Sequence, residues 1–379
     1  MKKILLLGAS GSIGSQTLSI VNEHYDKFSV SALSVGFNVG GLGNMINKYN
    51  PKHVYVTSYQ DYKNFVVTYP SIKWYYGDNG LKQLVQEADY DILVNALVGF
   101  VGVVSNITAI KRKKDIALAN KESLVVAGTL INSLKKKYGV NINPIDSEHS
   151  AIWQCLKGNQ LSDVSKIIIT ASGGSLRDLT RTQLNNVTVK QALAHPNWSM
   201  GSKITIDSAT MMNKTFEIIE AHHLFGFTSQ QIEVVIHKQS IVHGLVEFID
   251  GSLIAALANP DMKIPILYAL AYPRRLKIAE KQAFKLSDLS FIDLDVERFP
   301  LIKLAAMVIE DGDGFGCVIN AANEVAVNAF LSSKIKFLDI EDLVFKASEA
   351  FTGIVADDME KIIELDKEVR IYVNERIGD

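Results

Sequence analysis

Asp146 and Glu148, one residue apart in P-I-D-S-E-H, and Glu217, at the end of T-M-M-N-K-T-F-E, are the residues most able to do chemistry in this chain. On an extended backbone the first two project to one side, and a third acid on a helix elsewhere can reach them. Three hard oxygen donors suit Mg²⁺ or Mn²⁺, with Co²⁺ also open, and no Cys/His cluster of zinc spacing competes. On the helix expected to begin near Ser208 to Thr210, Asn213 and Glu217 share a face and Lys214 lies beside Glu217. The small, apolar I-D-S-A-T-M-M before them predicts that this end is enclosed, against the plainer reading of a solvated helix pair.

Ser172, in T-A-S-G-G-S, follows an apolar strand and precedes two glycines. Ser208 is expected at a strand-to-helix turn. Together with Asn213 and Lys214 these hydroxyls form a neutral-to-cationic cradle for one phosphate, although each serine alone is more often a helix cap. The loop A-H-P-N-W-S-M-G, residues 194–201, carries His195, Trp198 and Met200 beside Pro196 and Gly201. Large side chains on a punctuated loop suit a lid, with a core-packed Trp198 as the alternative.

A dinucleotide signature opens the chain. Gly8, Gly11 and Gly14 form G-A-S-G-S-I-G directly after an apolar strand and before a helical pattern, where glycines let the backbone approach a pyrophosphate and the helix offers free N–H groups. The end of the second strand, where an NAD-binding fold places an acid on the ribose, reads V-G-F-N with no acid, which leans toward NADP.

The surrounding sequence predicts what positions these groups. Its 379 residues imply about two or three domains. At 47% hydrophobic and 21% charged residues the chain is a compact globular protein, and a formal charge of −2 excludes a general attraction to nucleic acid or anionic membrane. Cys155 and Cys317 show no redox or metal spacing, which fits reduced structural thiols in the cytoplasm. The apolar stretch from Leu253 to Tyr272 is broken by Pro260, Asp261, Lys263 and Pro265, so a membrane span is not expected.

Apolar runs at 4–7, 30–35, 53–57, 92–97 and 116–119 alternate with helical stretches, predicting a parallel sheet covered on both faces. Strands are then expected at 167–170, 204–206, 234–237, 241–248 and 253–258, with a D-G hairpin turn at Asp250–Gly251 and helices at 151–156 and 211–224. The fold class is therefore α/β: a Rossmann-like dinucleotide-binding domain over 1–145, an α+β catalytic domain over 146–275, a linker over 276–300 and a small helical domain over 301–379. His149, His222, His223 and His237 have no chemical setting and read as structural or exposed.

The motifs G-A-S-G-S-I-G, A-L-A-N-K-E-S, P-I-D-S-E-H-S-A-I-W-Q, T-A-S-G-G, A-H-P-N-W-S-M-G and I-D-S-A-T-M-M-N-K, in this order, resemble the 1-deoxy-D-xylulose 5-phosphate reductoisomerase family over nearly the full length. The resemblance implies an NADPH- and divalent-metal-dependent enzyme of isoprenoid synthesis that works as a homodimer on a small phosphorylated sugar, without nucleic acid or membrane. It implies that Ser10, Gly11, Ser12, Ile13, Gly36, Asn38, Asn120, Glu122 and Gly201 bind NADPH and that Asp146, Glu148 and Glu217 hold the metal. Lys121, Ser147 and Glu148 would hold the sugar backbone, and Ser172, His195, Ser208, Asn213 and Lys214 its hydroxyls and phosphate. Lys121, Glu148 and Glu217 would carry the catalysis, with Glu217 also near the substrate. Trp198 and Met200 belong to the family's mobile lid, and His243 to the active-site region. Phe37 stands where many members have lysine, and Ser175-Leu176 where Pro-Phe is commoner. Two other readings are a different NAD(P)-dependent dehydrogenase of a semialdehyde pathway, which would lack the third carboxylate, and a non-catalytic NADP-binding sensor.

Overall fold

Seven short, mostly apolar runs form one parallel sheet in a computed structural model of the chain, which describes residues 1–279 and 288–377. The strands are β1 (Lys2–Leu7), β2 (Phe28–Val35), β3 (His53–Val56), β4 (Lys73–Tyr76), β5 (Ile92–Asn95), β6 (Asp115–Leu118) and β7 (Ile142–Pro144), in the spatial order β4-β3-β2-β1-β5-β6-β7. All neighbours run parallel, so every connection is a crossover, made by α1 (Ser12–Glu23), α2 (Leu42–Tyr49), α3 (Tyr59–Thr68), α4 (Gly80–Glu87), α5 (Gly102–Lys111) and α6 (Glu122–Tyr138). Ile4, Leu5, Leu6 and Leu7 are fully buried, as a strand covered on both faces requires. β4, K-W-Y-Y, and β7, I-N-P, were not foreseen, since neither carries the run of aliphatic residues that marked the other five.

The chain forms two compact units, and it passes between them more than once. The first comprises Met1–Asn120, Ile131–Ser150 and Asp261–Gln282. In it, a helix distant in sequence, α11 (Lys263–Ala271), places Ile266, Leu267 and Leu270 in one core with Leu18, Ile20 and Val21 of α1. Lys2 Nζ donates to Leu270 O at 2.7 Å and Asn143 Nδ2 to Ala269 O at 2.9 Å.

The second unit comprises Lys121–Leu130, Ala151–Pro260 and Ala283–Asp379. Its sheet has the order β11-β10-β8-β9-β12, built from β8 (Val164–Ala171), β9 (Ile232–Ile236), β10 (Val242–Phe248), β11 (Leu253–Leu257) and β12 (Ile292–Asp293). Strands β10 and β11 form the expected hairpin: Gly251 turns at φ +83°, and Ser252 N donates to Asp250 Oδ1 at 2.9 Å. The helices are α7 (Ser147–Leu156, entering from the first unit), α8 (Val189–Ala192), α9 (Ser202–Thr210), α10 (Met212–Phe225), α12 (Leu304–Asp311), α13 (Asp313–Leu331), α14 (Asp339–Ala350) and α15 (Met359–Asn374). The expected linker carries β12, and its residues 280–287, like the last two of the chain, lie outside the described residues.

Two local expectations fail. Residues 204–206 are helical, inside α9, and Ser208 accordingly lies on a helix rather than at a strand-to-helix turn. Thr205, Ile206, Asp207, Ala209 and Thr210 are all buried, so the I-T-I alternation never marked one exposed and one buried face. Glu148 is likewise in the first turn of α7 and not on extended chain. Asp146 starts that helix: its carbonyl accepts Ser150 N at 2.8 Å and its Oδ1 accepts Glu148 N at 3.4 Å.

Candidate functional site

The first unit contributes the glycine turn. Gly8 has φ +81°, and a Cβ there would sit 2.6 Å from Ala96 O; at Gly14 it would sit 2.2 Å from Gly8 O. Both positions therefore exclude any side chain. Gly11, extended at φ −80°, is the N-cap of α1 and offers no capping side chain, so the first N–H groups of the helix suit an anion. Ser34 fixes the turn to β2 by accepting Gly8 N on its Oγ at 2.9 Å and Ala9 N on its carbonyl at 2.8 Å. Gly36, Phe37 and Asn38 follow β2 and are exposed, Phe37 at 82%. Asn120 is buried, and its Nδ2 donates to Leu97 O at 3.0 Å and Gly99 O at 2.9 Å. It holds the loop past the carboxyl end of β5, where such sheets take ligands.

The same unit carries Asp146, Ser147 and Glu148. Ser147 Oγ donates to Glu148 Oε2. His149, read from sequence as structural or exposed, is fully buried with Nδ1 3.5 Å from Asp146 Oδ1. The i, i+3 spacing of Asp146 and His149 would have shown this had the segment been read as a helix start.

In the second unit, Glu217 is 1% exposed and surrounded by donors. Lys121 Nζ donates to Glu217 Oε1 at 3.1 Å and to Asn213 Oδ1 at 2.8 Å. Asn213 Nδ2 donates to the same Oε1, and Lys214 Nζ to Oε2 and to Thr170 O. Two buried ammonium groups meet one buried carboxylate and aim it, the pairing that a buried charge requires. Met211, at φ +64°, ends α9 and begins α10, setting the angle at which these side chains emerge. Asp146, Glu148 and Glu217 offer only carboxylate oxygens, a set that fits Mg²⁺ or Mn²⁺.

Beyond β8, Gly173 and Gly174 both take positive φ, and Ser172 Oγ accepts Gly174 N at 3.3 Å. A Cβ on Gly174 would meet Ser208 O at 2.5 Å, so this glycine is what lets the Ser172 loop approach α9. His195 Nδ1 accepts the N–H groups of Asn197 and Trp198 at 3.2 and 3.0 Å, so in the neutral ring the proton is on Nε2, which donates to Ser172 Oγ at 3.0 Å. Burial, aided by the nearby Arg177 guanidinium, holds the His195 pKa down at about 4. Arg177, which the sequence reading passed over, donates to Ser172 O at 2.8 Å and Asn197 Oδ1 at 3.2 Å and so ties the Ser172 loop to the 194–201 loop. Trp198 packs edge-on against His243, with ring centroids 6.1 Å apart, and His243 Nε2 lies 3.2 Å from Ala258 O. Gly201 caps α9. Cys155 and Cys317 are free and buried, and burial pushes the Cys155 thiol up to about 11.

Comparison with known proteins agrees along the whole chain. Family models match over residues 4–128 (1-deoxy-D-xylulose 5-phosphate reductoisomerase), 142–225 (1-deoxy-D-xylulose 5-phosphate reductoisomerase C-terminal domain) and 257–372 (DXP reductoisomerase C-terminal domain). The chain is 48% identical over 376 residues to the 1-deoxy-D-xylulose 5-phosphate reductoisomerase of Listeria monocytogenes serovar 1/2a, covering 98% of this chain and 99% of that protein. It is 48% identical over 380 residues to that of Bacillus cereus strain AH187, covering all of both. Among solved structures, a DOX-P reductoisomerase in complex with NADPH, fosmidomycin and magnesium superposes with a TM-score of 0.93 at 39% identity, covering 100% of this chain and 98% of that one. The Zymomonas mobilis enzyme in complex with NADPH gives 0.92 at 37% identity, covering 100% and 99%.

Proposed function

The chain belongs to the 1-deoxy-D-xylulose 5-phosphate reductoisomerase family, and from that premise we infer that it converts 1-deoxy-D-xylulose 5-phosphate into 2-C-methyl-D-erythritol 4-phosphate with NADPH and a divalent metal. One observation carries the reading: full-length relationship at 48% identity, with the carboxylates, lysines and glycine turn that this chemistry needs all present. The dehydrogenase and sensor alternatives gain no support from it.

Within this reading Asp146, Glu148 and Glu217 hold the ion. When bound, the metal supplies Lewis acidity at the substrate oxygens and NADPH supplies hydride. Lys121 and Ser147 donate to the sugar oxygens beside Glu148. Ser172, His195, Ser208, Asn213 and Lys214 grip the hydroxyls and phosphate, which anchors the substrate away from its reacting carbons. Ser10, Gly11, Ser12 and Ile13 cradle the pyrophosphate, with Gly36, Asn38, Asn120, Glu122 and Gly201 along the rest of NADPH. Trp198 and Met200 cover the reacting carbons and exclude water. By role the chain divides into 1–145 for NADPH, 146–275 for catalysis, 276–300 as linker and 301–379 as the helical support.

We further read the enzyme as a cytoplasmic homodimer. Among the described residues no helix is long and apolar enough to cross a membrane. Strand β11 is at an edge of its sheet with Leu253, Ile254 and Leu257 exposed at 54, 42 and 39%, a surface that a second copy would cover. Following NADPH absorbance with 1-deoxy-D-xylulose 5-phosphate, with and without Mn²⁺, tests the function. Oxidation that needs both sugar phosphate and metal is expected, and metal-independent oxidation or none at all would overturn the reading.

A further inference from the structure

Lys203 takes no part in the roles assigned above, yet it sits at the centre of a buried charge cluster. It is the second residue of α9, directly after the lid loop and its Gly201 cap. Its ammonium lies 3.0 Å from Glu122 Oε1 and 2.9 Å from Asp207 Oδ2, and 5.3 Å from the ring centre of Phe216. The second oxygen of Asp207 accepts Asn323 Nδ2 from α13 at 2.8 Å. The side chains of Lys203, Glu122 and Asp207 are 14, 10 and 3% exposed, so water screens these charges little. Burial opposes the charge on Lys203, but Asp207 and Glu122 more than offset it and raise its pKa. Burial likewise works against the Glu122 carboxylate, which Lys203 nevertheless holds below its ordinary range.

The geometry joins three pieces that the chemistry must keep in register. Glu122 opens α6 one residue after Lys121, whose ammonium reaches Glu217. Asp207 is one turn along α9 from Lys203, and Asn323 ties it to the C-terminal helices. We propose that Lys203 is a positioning residue for hydride transfer: it fixes the Glu122 carboxylate, and with it the Lys121 turn, to the end of the lid at Gly201. This rests on the function inferred above, and it gives the C-terminal helices a role in catalysis through Asn323 and Asp207.

The test is Lys203→Met, which keeps the aliphatic stem and removes the charge, with Lys203→Arg as the conservative partner. For Lys203→Met the KM for NADPH should rise about tenfold and kcat fall about tenfold, while the KM for the sugar phosphate rises by no more than about threefold, because Lys121 is the one sugar contact on the misplaced turn and the other grips lie elsewhere. Lys203→Arg should recover most of both losses, which a generally loosened fold would not do. Should Lys203→Met fail to fold, Asp207→Asn replaces it, with the same pattern at about threefold. Unchanged NADPH KM and kcat, or an equal rise in both KM values, overturns the proposal. Absence of turnover in the unsubstituted enzyme would instead sink the functional reading, and calorimetric NADPH binding to enzyme and variant would then decide the role of Lys203.

Discussion

At the Gly8–Gly14 turn the recognition surface is main chain, shaped by side chains that are missing, whereas around Glu217 it is charge, held by side chains that are buried and paired. The turn can be spoiled by adding a single methyl group and has little to lose from a charge change. The Glu217 cluster is sensitive to charge, because each ammonium left without its carboxylate becomes an uncompensated buried ion. On the function proposed above, one protein thus uses steric exclusion to seat a cofactor and electrostatics to prepare a reaction.

The comparison can be broken or sharpened directly. Glu217→Gln keeps the shape and removes the charge; we expect kcat to fall on the order of a thousandfold with the NADPH dissociation constant nearly unchanged. Near-normal turnover at ordinary Mn²⁺ would remove Glu217 from the metal set. Gly14→Ala is the converse, adding volume without charge. Its Cβ, 2.2 Å from Gly8 O, should weaken NADPH binding about ten- to a hundredfold while the rate at saturating NADPH holds. Lys214→Ala should raise the KM for the sugar phosphate about tenfold or more, the worth of a charged hydrogen bond. An unchanged KM would take Lys214 out of the phosphate cradle.

The hold of His195 on the 194–201 loop adds a pH test. His195 titrates at about 4 in the fold against 6.5 unfolded, so folding favours its neutral form. That contribution is full above 6.5 and shrinks as pH falls toward 4, where the unfolded chain binds the extra proton first. The Tm advantage of the enzyme over a His195→Gln variant, about a few degrees at neutral pH, should narrow across this window. A constant difference would show that the ring is not held neutral by the loop. The smallest effect is expected at exposed Phe37: Phe37→Lys should raise the preference for NADPH over NADH no more than about fivefold, the range of a solvated ion pair.

Five strands of the parallel sheet were legible, though not their order in it, because buried parallel strands announce themselves as apolar runs. So was the grouping of Asn213, Lys214 and Glu217, since helical spacing alone puts them together. The Asp146–Glu148 pair was read on the wrong backbone: D-S-E-H also spells a helix start, and nothing in a period of two distinguishes the readings over three residues. In α9 burial on nearly all sides erased the amphipathic signal, and with it the meaning of Lys203. Lys203 and Asp207, four residues apart among small and apolar neighbours just past the 194–201 loop, were the available clue. Arg177 carried even less signal, since its partners are backbone carbonyls and a loop asparagine that only folding brings near.

Helix α11 packs on α1, yet the ribosome makes α1 near the beginning and α11 only after the β10–β11 hairpin has emerged. Throughout that interval Leu18, Ile20 and Val21 have a partner still to be synthesised. The nascent N-terminal sheet must wait half-dressed, exposed to chaperones and to mispairing, and no single cut in the gene would yield either unit as an autonomous fragment.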